Sequence, residues 1–168
     1  MARKDCRQRQ EKMTLGRKII TLLIMSAFII PLLLYADARG VQEGDIIFQT
    51  SLSSQSRAIQ LATKSKYSHM GLILKEQGRF YVFEAVKNVK KTPLEEWIKR
   101  GEGGKYVIKR LKNADTFLDA KTLSKIKGEA EKFSGKEYDL TFEWSDEKMY
   151  CSELVWKIYK QSVDLEVG

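Results

Sequence analysis

The chain has 168 residues, of which 43% are hydrophobic and 31% charged, with only two prolines and a formal charge of +8. That length suits one domain with a real core, and the composition excludes a disordered, collagen-like or disulfide-rich chain. The basic excess does not point to nucleic acid, because no Lys/Arg run stands beside an aromatic platform.

Residues 1–38 read as a segment of their own. Arg3, Lys4, Arg7, Arg9, Lys12, Arg17 and Lys18 make a basic lead, and residues 19–35 carry no charge. Ala36-Asp37-Ala38 then sets small residues at alternate positions. These are the three parts of a secretory signal peptide, with cleavage expected after Ala38. The alternative is a membrane anchor, although the apolar run is short for one and contains Pro31. The basic lead is long, and Met13-Thr14-Leu15-Gly16-Arg17-Lys18 makes a more usual opening, so translation is expected to start at Met13. Seven of the 30 basic and three of the 22 acidic residues lie in the leader. Residues 39–168 are therefore only mildly basic, which suits an anionic envelope surface.

The elements follow in order. Residues 44–49 predict a first strand after a turn in which Asp45 serves. Ser53-Ser54-Gln55 caps a short helix with Ala58, Ile59, Leu61 and Ala62 at helical spacing. Residues 68–75 predict a second strand, Gln77-Gly78 a hairpin turn, and residues 80–85 a third strand. Thr92-Pro93 opens a helix to about Arg100, with Thr92 as N-cap and proline at the first helical position. Gly101, Gly103 and Gly104 end it, and residues 106–111 predict a fourth strand. Residues 119–133 form a long helix stopped near Gly135, and residues 151–162 the last. Strands early and helices late predict an α+β fold with an antiparallel sheet.

Cysteine arithmetic points to chemistry. Cys6 leaves with the leader, so Cys151 is alone in a compartment that oxidises paired thiols. The chain has a single histidine, His69. One Cys and one His are too few for a structural zinc site, and no metal or cofactor is expected. Cys151, Leu154, Val155, Ile158 and Tyr159 form one apolar stripe, with Cys151 at its head. There the helix dipole and free N–H groups favour a thiolate and can bind an oxyanion. A lone helical cysteine is otherwise a core residue.

His69 shares a strand face with Gly71 and Ile73. The two-residue turn pairs Glu76 with Arg79, which sets Glu84 opposite Gly71 and diagonal to His69. A carboxylate there can orient the imidazole, the third role in a nucleophilic triad. Taken alone, His69 would read as a core or surface histidine and Glu84 as an edge carboxylate. However, Glu84 has apolar neighbours, and an unpaired buried carboxylate is costly. Tyr138 and Ser152 are the oxyanion or substrate-binding candidates, with loop packing the plainer reading of Tyr138. Tyr150 is expected to pack and Glu153 to partner the helix dipole. Trp144 is a cleft wall or core.

These residues resemble the permuted NlpC-type papain-like cysteine hydrolases, specifically the YiiX/YebB-like group. The resemblance runs in order through Gly44-Asp45-Ile46-Ile47-Phe48, Tyr67-Ser68-His69-Met70-Gly71 and Val82-Phe83-Glu84-Ala85. It continues through Gly135-Lys136-Glu137-Tyr138-Asp139 to Tyr150-Cys151-Ser152-Glu153-Leu154-Val155-Trp156. It implies Cys151 as nucleophile, His69 as base and Glu84 as orienting acid. It also implies an antiparallel sheet or partial barrel packed on the cysteine helix, in circularly permuted order.

The implied activity is amide hydrolysis through an acyl-thioester, with peptidoglycan peptide as substrate, in the periplasm or outside the cell. A lipid acyl hydrolase or acyltransferase and a non-catalytic envelope-binding module are the alternatives. The chain stops at Gly168 soon after the cysteine helix, so a C-terminally truncated domain is expected.

Overall fold

The computed structural model describes residues 40–167; the signal peptide expected at 1–38, with Cys6, lies outside them. The chain divides after Val41. Of the first unit, Met1–Val41, only Gly40 and Val41 are described; the second, Gln42–Gly168, carries the fold.

The elements run β1 (Ile46–Ser51), α1 (Ser56–Thr63), β2 (His69–Glu76), β3 (Arg79–Ala85), β4 (Val89–Pro93), α2 (Leu94–Arg100) and β5 (Gly101–Lys109). There follow α3 (Ala114–Phe117), α4 (Ala120–Lys132), β6 (Glu137–Tyr138), β7 (Lys148–Met149) and α5 (Cys151–Val163). The five long strands form one sheet in the order β4-β3-β2-β1-β5, and every neighbouring pair is antiparallel. This is the expected α+β fold with its sheet packed on helices.

Strand alternation gives the sheet two different faces. Ile46, Leu72, Leu74, Phe83, Ala85 and Val89 point to one side and pack with Ile126 and Ala130 of α4 and Leu154, Val155 and Ile158 of α5. The cysteine stripe expected for α5 is buried along its length, from Cys151 to Tyr159. The other face carries Gln49, His69, Gly71, Ile73, Val82 and Glu84, and α2 covers part of it with buried Leu94 and Trp97. At the far end of β1, buried Asp45 accepts from Gln42 N and takes a bidentate ion pair from Arg110 at 2.7 and 2.8 Å. Asp45 thus ties the flanks of β1 and β5 as well as shaping its turn.

Several elements differ from, or add to, the expected ones. Residues 89–93 pair with β3 as an edge strand, so Thr92 is a strand residue and α2 begins at Leu94. Proline fits there because an edge strand has no ladder partner for its missing N–H. The fourth expected strand starts earlier, at Gly101, and pairs with β1 across an irregularity between Gln49 and Ser51. Helix α1 buries only Ser56, leaving Leu61 63% exposed. The short β6–β7 pair and α3 have too few residues to leave a periodic signal.

The hairpin register is the one expected from its two-residue turn: Glu76 pairs with Arg79 and Leu72 with Phe83, which puts Gly71 beside Glu84. A β-carbon on Gly71 would meet Val82 Cγ1 at 2.4 Å and the Phe83 carbonyl oxygen at 2.8 Å. The backbone oxygen cannot swing away. Gly71→Ala is therefore expected to destabilise the domain by about 1–3 kcal/mol, as overpacking does. Urea unfolding of the two proteins measures it, and an unchanged midpoint would show that the strands have room to part.

Candidate active site

The site forms at the end of the sheet where β2 begins. His69 is its first residue, and its side chain is 9% exposed. Its Nε2 lies 2.6 Å from Glu84 Oε2. Nδ1 is the ring nitrogen left for Cys151, whose sulfur helps to hold a proton on the imidazole. The ring stacks on Trp97 with centroids 5.9 Å apart.

Glu84 is fully buried. Its Oε1 accepts from the Thr92 hydroxyl at 2.5 Å and its Oε2 from Trp97 Nε1 at 2.9 Å. Arg100 Nη2 reaches both oxygens, at 2.6 and 2.5 Å. Burial alone would push this carboxyl up. The hydrogen bonds from His69, Arg100 and Thr92 outweigh it and hold the group down at about 2. Burial likewise disfavours the imidazolium, but the Cys151 sulfur and the Glu84 carboxylate more than offset that and hold His69 up at about 9.

Cys151 is the first residue of α5, with Tyr150 as N-cap. The N–H groups of a helix's first turn have no intrahelical partner, so they face whatever lies before the helix. This end is pinned by Glu153, which accepts from Tyr150 N at 3.4 Å and Ser145 N at 3.2 Å. Buried Lys157 pairs with Glu153 at 2.9 Å and Asp146 at 2.7 Å, and also donates to the Ser145 carbonyl. Asp139 serves its own loop, accepting from Thr141 N, Thr141 Oγ1 and Glu143 N.

A cleft of about 860 Å³ opens beside His69, lined by Ser68, Arg100, Tyr138, Ile59 and two largely exposed leucines, Leu52 and Leu140. Tyr138 is half-buried, and burial, with the Cys151 and Asp139 charges near it, pushes its phenol up. It is therefore a hydroxyl donor at the cleft wall. Ser152 is exposed, and its side chain makes no hydrogen bond among the described residues. What it brings is its place in the first turn. Trp144 is 57% exposed and packs edge-on against Trp156, outside both the core and this cleft.

The structure thus brings together His69, Glu84, Cys151 and Tyr138. Sequence reasoning missed Thr92, Trp97 and Arg100, the other donors to Glu84. A signal existed: Trp97 and Arg100 are three apart on one helix, and so share a face.

A histidine–carboxylate pair on a sheet and a thiol at a helix N-terminus is the layout of papain-like cysteine hydrolases. Here the histidine strand precedes the cysteine helix along the chain. The chain belongs to the permuted papain-like amidase enzymes of the YaeF/YiiX, C92 family, whose model matches residues 40–168. It is 50% identical over 127 residues to the uncharacterized protein YiiX of Escherichia coli (strain K12), covering 76% of this chain and 61% of that protein's length. A crystal structure described as metalloprotein yiiX from Escherichia coli O157:H7 matches with a TM-score of 0.72 and 50% identity, over 76% of this chain and 69% of that one.

The pKa directions give a stability test. His69 moves from an ordinary 6.5 to about 9, so its contribution is complete below about 6.5 and is lost as pH rises through about 9. Chemical denaturation from pH 6 to 10 is expected to show this loss, and Glu84→Gln to flatten it. An equally steep loss in Glu84→Gln would mean that the pair is not its source.

Proposed function

We propose that the protein is an amide hydrolase working through a Cys151–His69–Glu84 triad. One observation carries this reading: the 2.6 Å contact of His69 Nε2 with a fully buried carboxylate, on a ring whose other nitrogen is left for Cys151 at the head of α5. The imidazolium and the helix N-terminus both favour negative charge on sulfur. The sulfur attacks the carbonyl carbon, the C–N bond breaks, and His69 gives its proton to the leaving amine. Neutral His69 then takes a proton from water as its oxygen adds to the acyl-thioester carbonyl; the C–S bond breaks, which frees the acid and restores the imidazolium and the negatively charged sulfur. First-turn N–H groups of α5 and the Tyr138 hydroxyl stabilise the oxyanion. Glu84 keeps the imidazole oriented throughout.

The substrate we propose is a peptide amide of peptidoglycan. Support comes from the amidase family and from the secretory pattern in residues 1–38, which implies export to the periplasm or beyond. A lipid amide or ester is the second reading. The cleft's apolar rim favours it, with Leu52 73% and Leu140 66% exposed.

The similar structure's description as a metalloprotein prompts a test of the donor set here. Among the described residues no group of three His, Cys, Asp or Glu side chains is placed to hold a metal. Both Glu84 oxygens are already committed to side-chain donors. These residues do not fit a resident metal, and the mechanism uses none.

A screen of muropeptides and phospholipids, wild type beside Cys151→Ala, tests the function. Wild type is expected to cleave a muropeptide and Cys151→Ala to cleave nothing; fatty-acid release instead would favour the lipid reading. With a substrate in hand, His69→Ala is expected to lower kcat/KM by roughly 10²–10⁴-fold. The wild-type profile should fall above about pH 9, where His69 loses the proton that the leaving amine needs. A profile still rising at pH 10 would exclude imidazolium as the acid.

A further inference from the structure

We propose that Arg100 forms an anion-binding subsite beside the reactive pair, so that the bound substrate carries a carboxylate or phosphate near its scissile carbonyl. This rests on the reading of Cys151 and His69 as the reactive pair.

Each Glu84 oxygen has a partner besides Arg100. Its Oε2 takes His69 and Trp97, and its Oε1 takes Thr92. Arg100 in turn commits one nitrogen: Nη2 reaches both carboxylate oxygens, while Nε and Nη1 donate to nothing among the described residues. A guanidinium meant only to neutralise a carboxylate would present two nitrogens as a fork. This side chain is 41% exposed and lines the same cleft as His69.

The charge around it agrees. Besides His69, the side chains lining the cleft that carry charge near neutral pH are Lys87, Arg100, Lys148 and Glu137. Lys148 pairs with Glu137 at 3.5 Å, and Glu84 is shared between His69 and Arg100. Lys87 has no ion-pair partner among the described residues. The cleft therefore holds excess positive charge. Its position is also fixed. Arg100 ends α2, and the next residue, Gly101, closes on β1 so tightly that a β-carbon would meet Gln49 Oε1 at 2.1 Å. Two uncommitted guanidinium nitrogens on a fixed backbone suit a localised anion such as a carboxylate or phosphate more than a diffuse negative charge.

Matched covalent probes of Cys151 test this without knowing the substrate. One pair is N-iodoacetyl-β-alanine and its primary amide; the other is N-iodoacetyl-ethanolamine phosphate and the parent alcohol. Each pair differs only in the anionic end, so its rate ratio cancels changes in thiol reactivity. Wild type is expected to favour the anionic member by about tenfold. Arg100→Gln should bring the ratio close to one, and Arg100→Lys, which keeps the charge without the fork, should retain part of it. The pair with the larger ratio identifies a peptide carboxylate or a lipid-type phosphate as the source. A wild-type ratio near one, or one unchanged in Arg100→Gln, overturns the subsite. Slow labelling by every probe, unaffected by His69→Ala, overturns the reactive pair itself and the subsite with it.

Discussion

Glu84 is fully buried, yet its neighbours hold it ionised. Taking a carboxylate out of water costs several kcal/mol unless donors replace its hydration. Four side chains from three elements and their flanks do so: His69 from β2, Thr92 from β4, and Trp97 and Arg100 from α2. Each donor is useful only if its element lies where it does, so this one carboxylate constrains the hairpin register, the edge strand and the helix after it. The result that matters for chemistry is the imidazole, whose Nε2 is engaged and whose ring is stacked on Trp97. With one nitrogen committed, the other has a single direction left.

The sheet keeps this polar cluster apart from its main core. Alternation puts His69 and Glu84 on the face opposite Leu72, Leu74 and Phe83, which pack on α4 and α5. Cys151 comes from the core side, yet it meets His69, because both stand at the ends of their elements. A histidine in the middle of β2 would be screened from the thiol by the sheet itself. The terminal position of His69 and the first-turn position of Cys151 are therefore one geometric condition. Helix α5 supplies its thiol from a rigid base, since its apolar stripe is buried while Lys157, Glu153 and Asp146 clamp the loop before it.

Much of this was legible in the sequence, and for local reasons. A two-residue turn fixes register, and register alone put Glu84 beside Gly71 and within reach of His69. The stripe from Cys151 to Tyr159 fixed the buried face of α5. What sequence reasoning missed shares one cause. Thr92-Pro93 has the local chemistry of a helix start, whereas tertiary pairing with Tyr81 and Val82 made these residues an edge strand. Reading Thr92 as a cap concealed its hydroxyl as a donor to Glu84, and with it the neighbours Trp97 and Arg100. Helix α1 formed where it was expected. Its spacing was right, but spacing says only that residues share a face, and here that face largely meets solvent and the cleft.

Charge at the cleft adds to what the proposed triad alone would do. A thiol at a helix N-terminus already feels a positive end, and the imidazolium held up to about 9 beside it adds a full charge. Arg100 and Lys87 extend the same sign along the cleft wall. In a partly dry site such fields act with less screening than at an open surface. Negative charge on the sulfur, on an oxyanion and on a bound substrate group are then favoured by one arrangement. Glu84 links the proposed reactive pair to the proposed anion subsite, as the only buried anion touching both His69 and Arg100 among the described residues. A neutral residue in its place would loosen the imidazole and the guanidinium together.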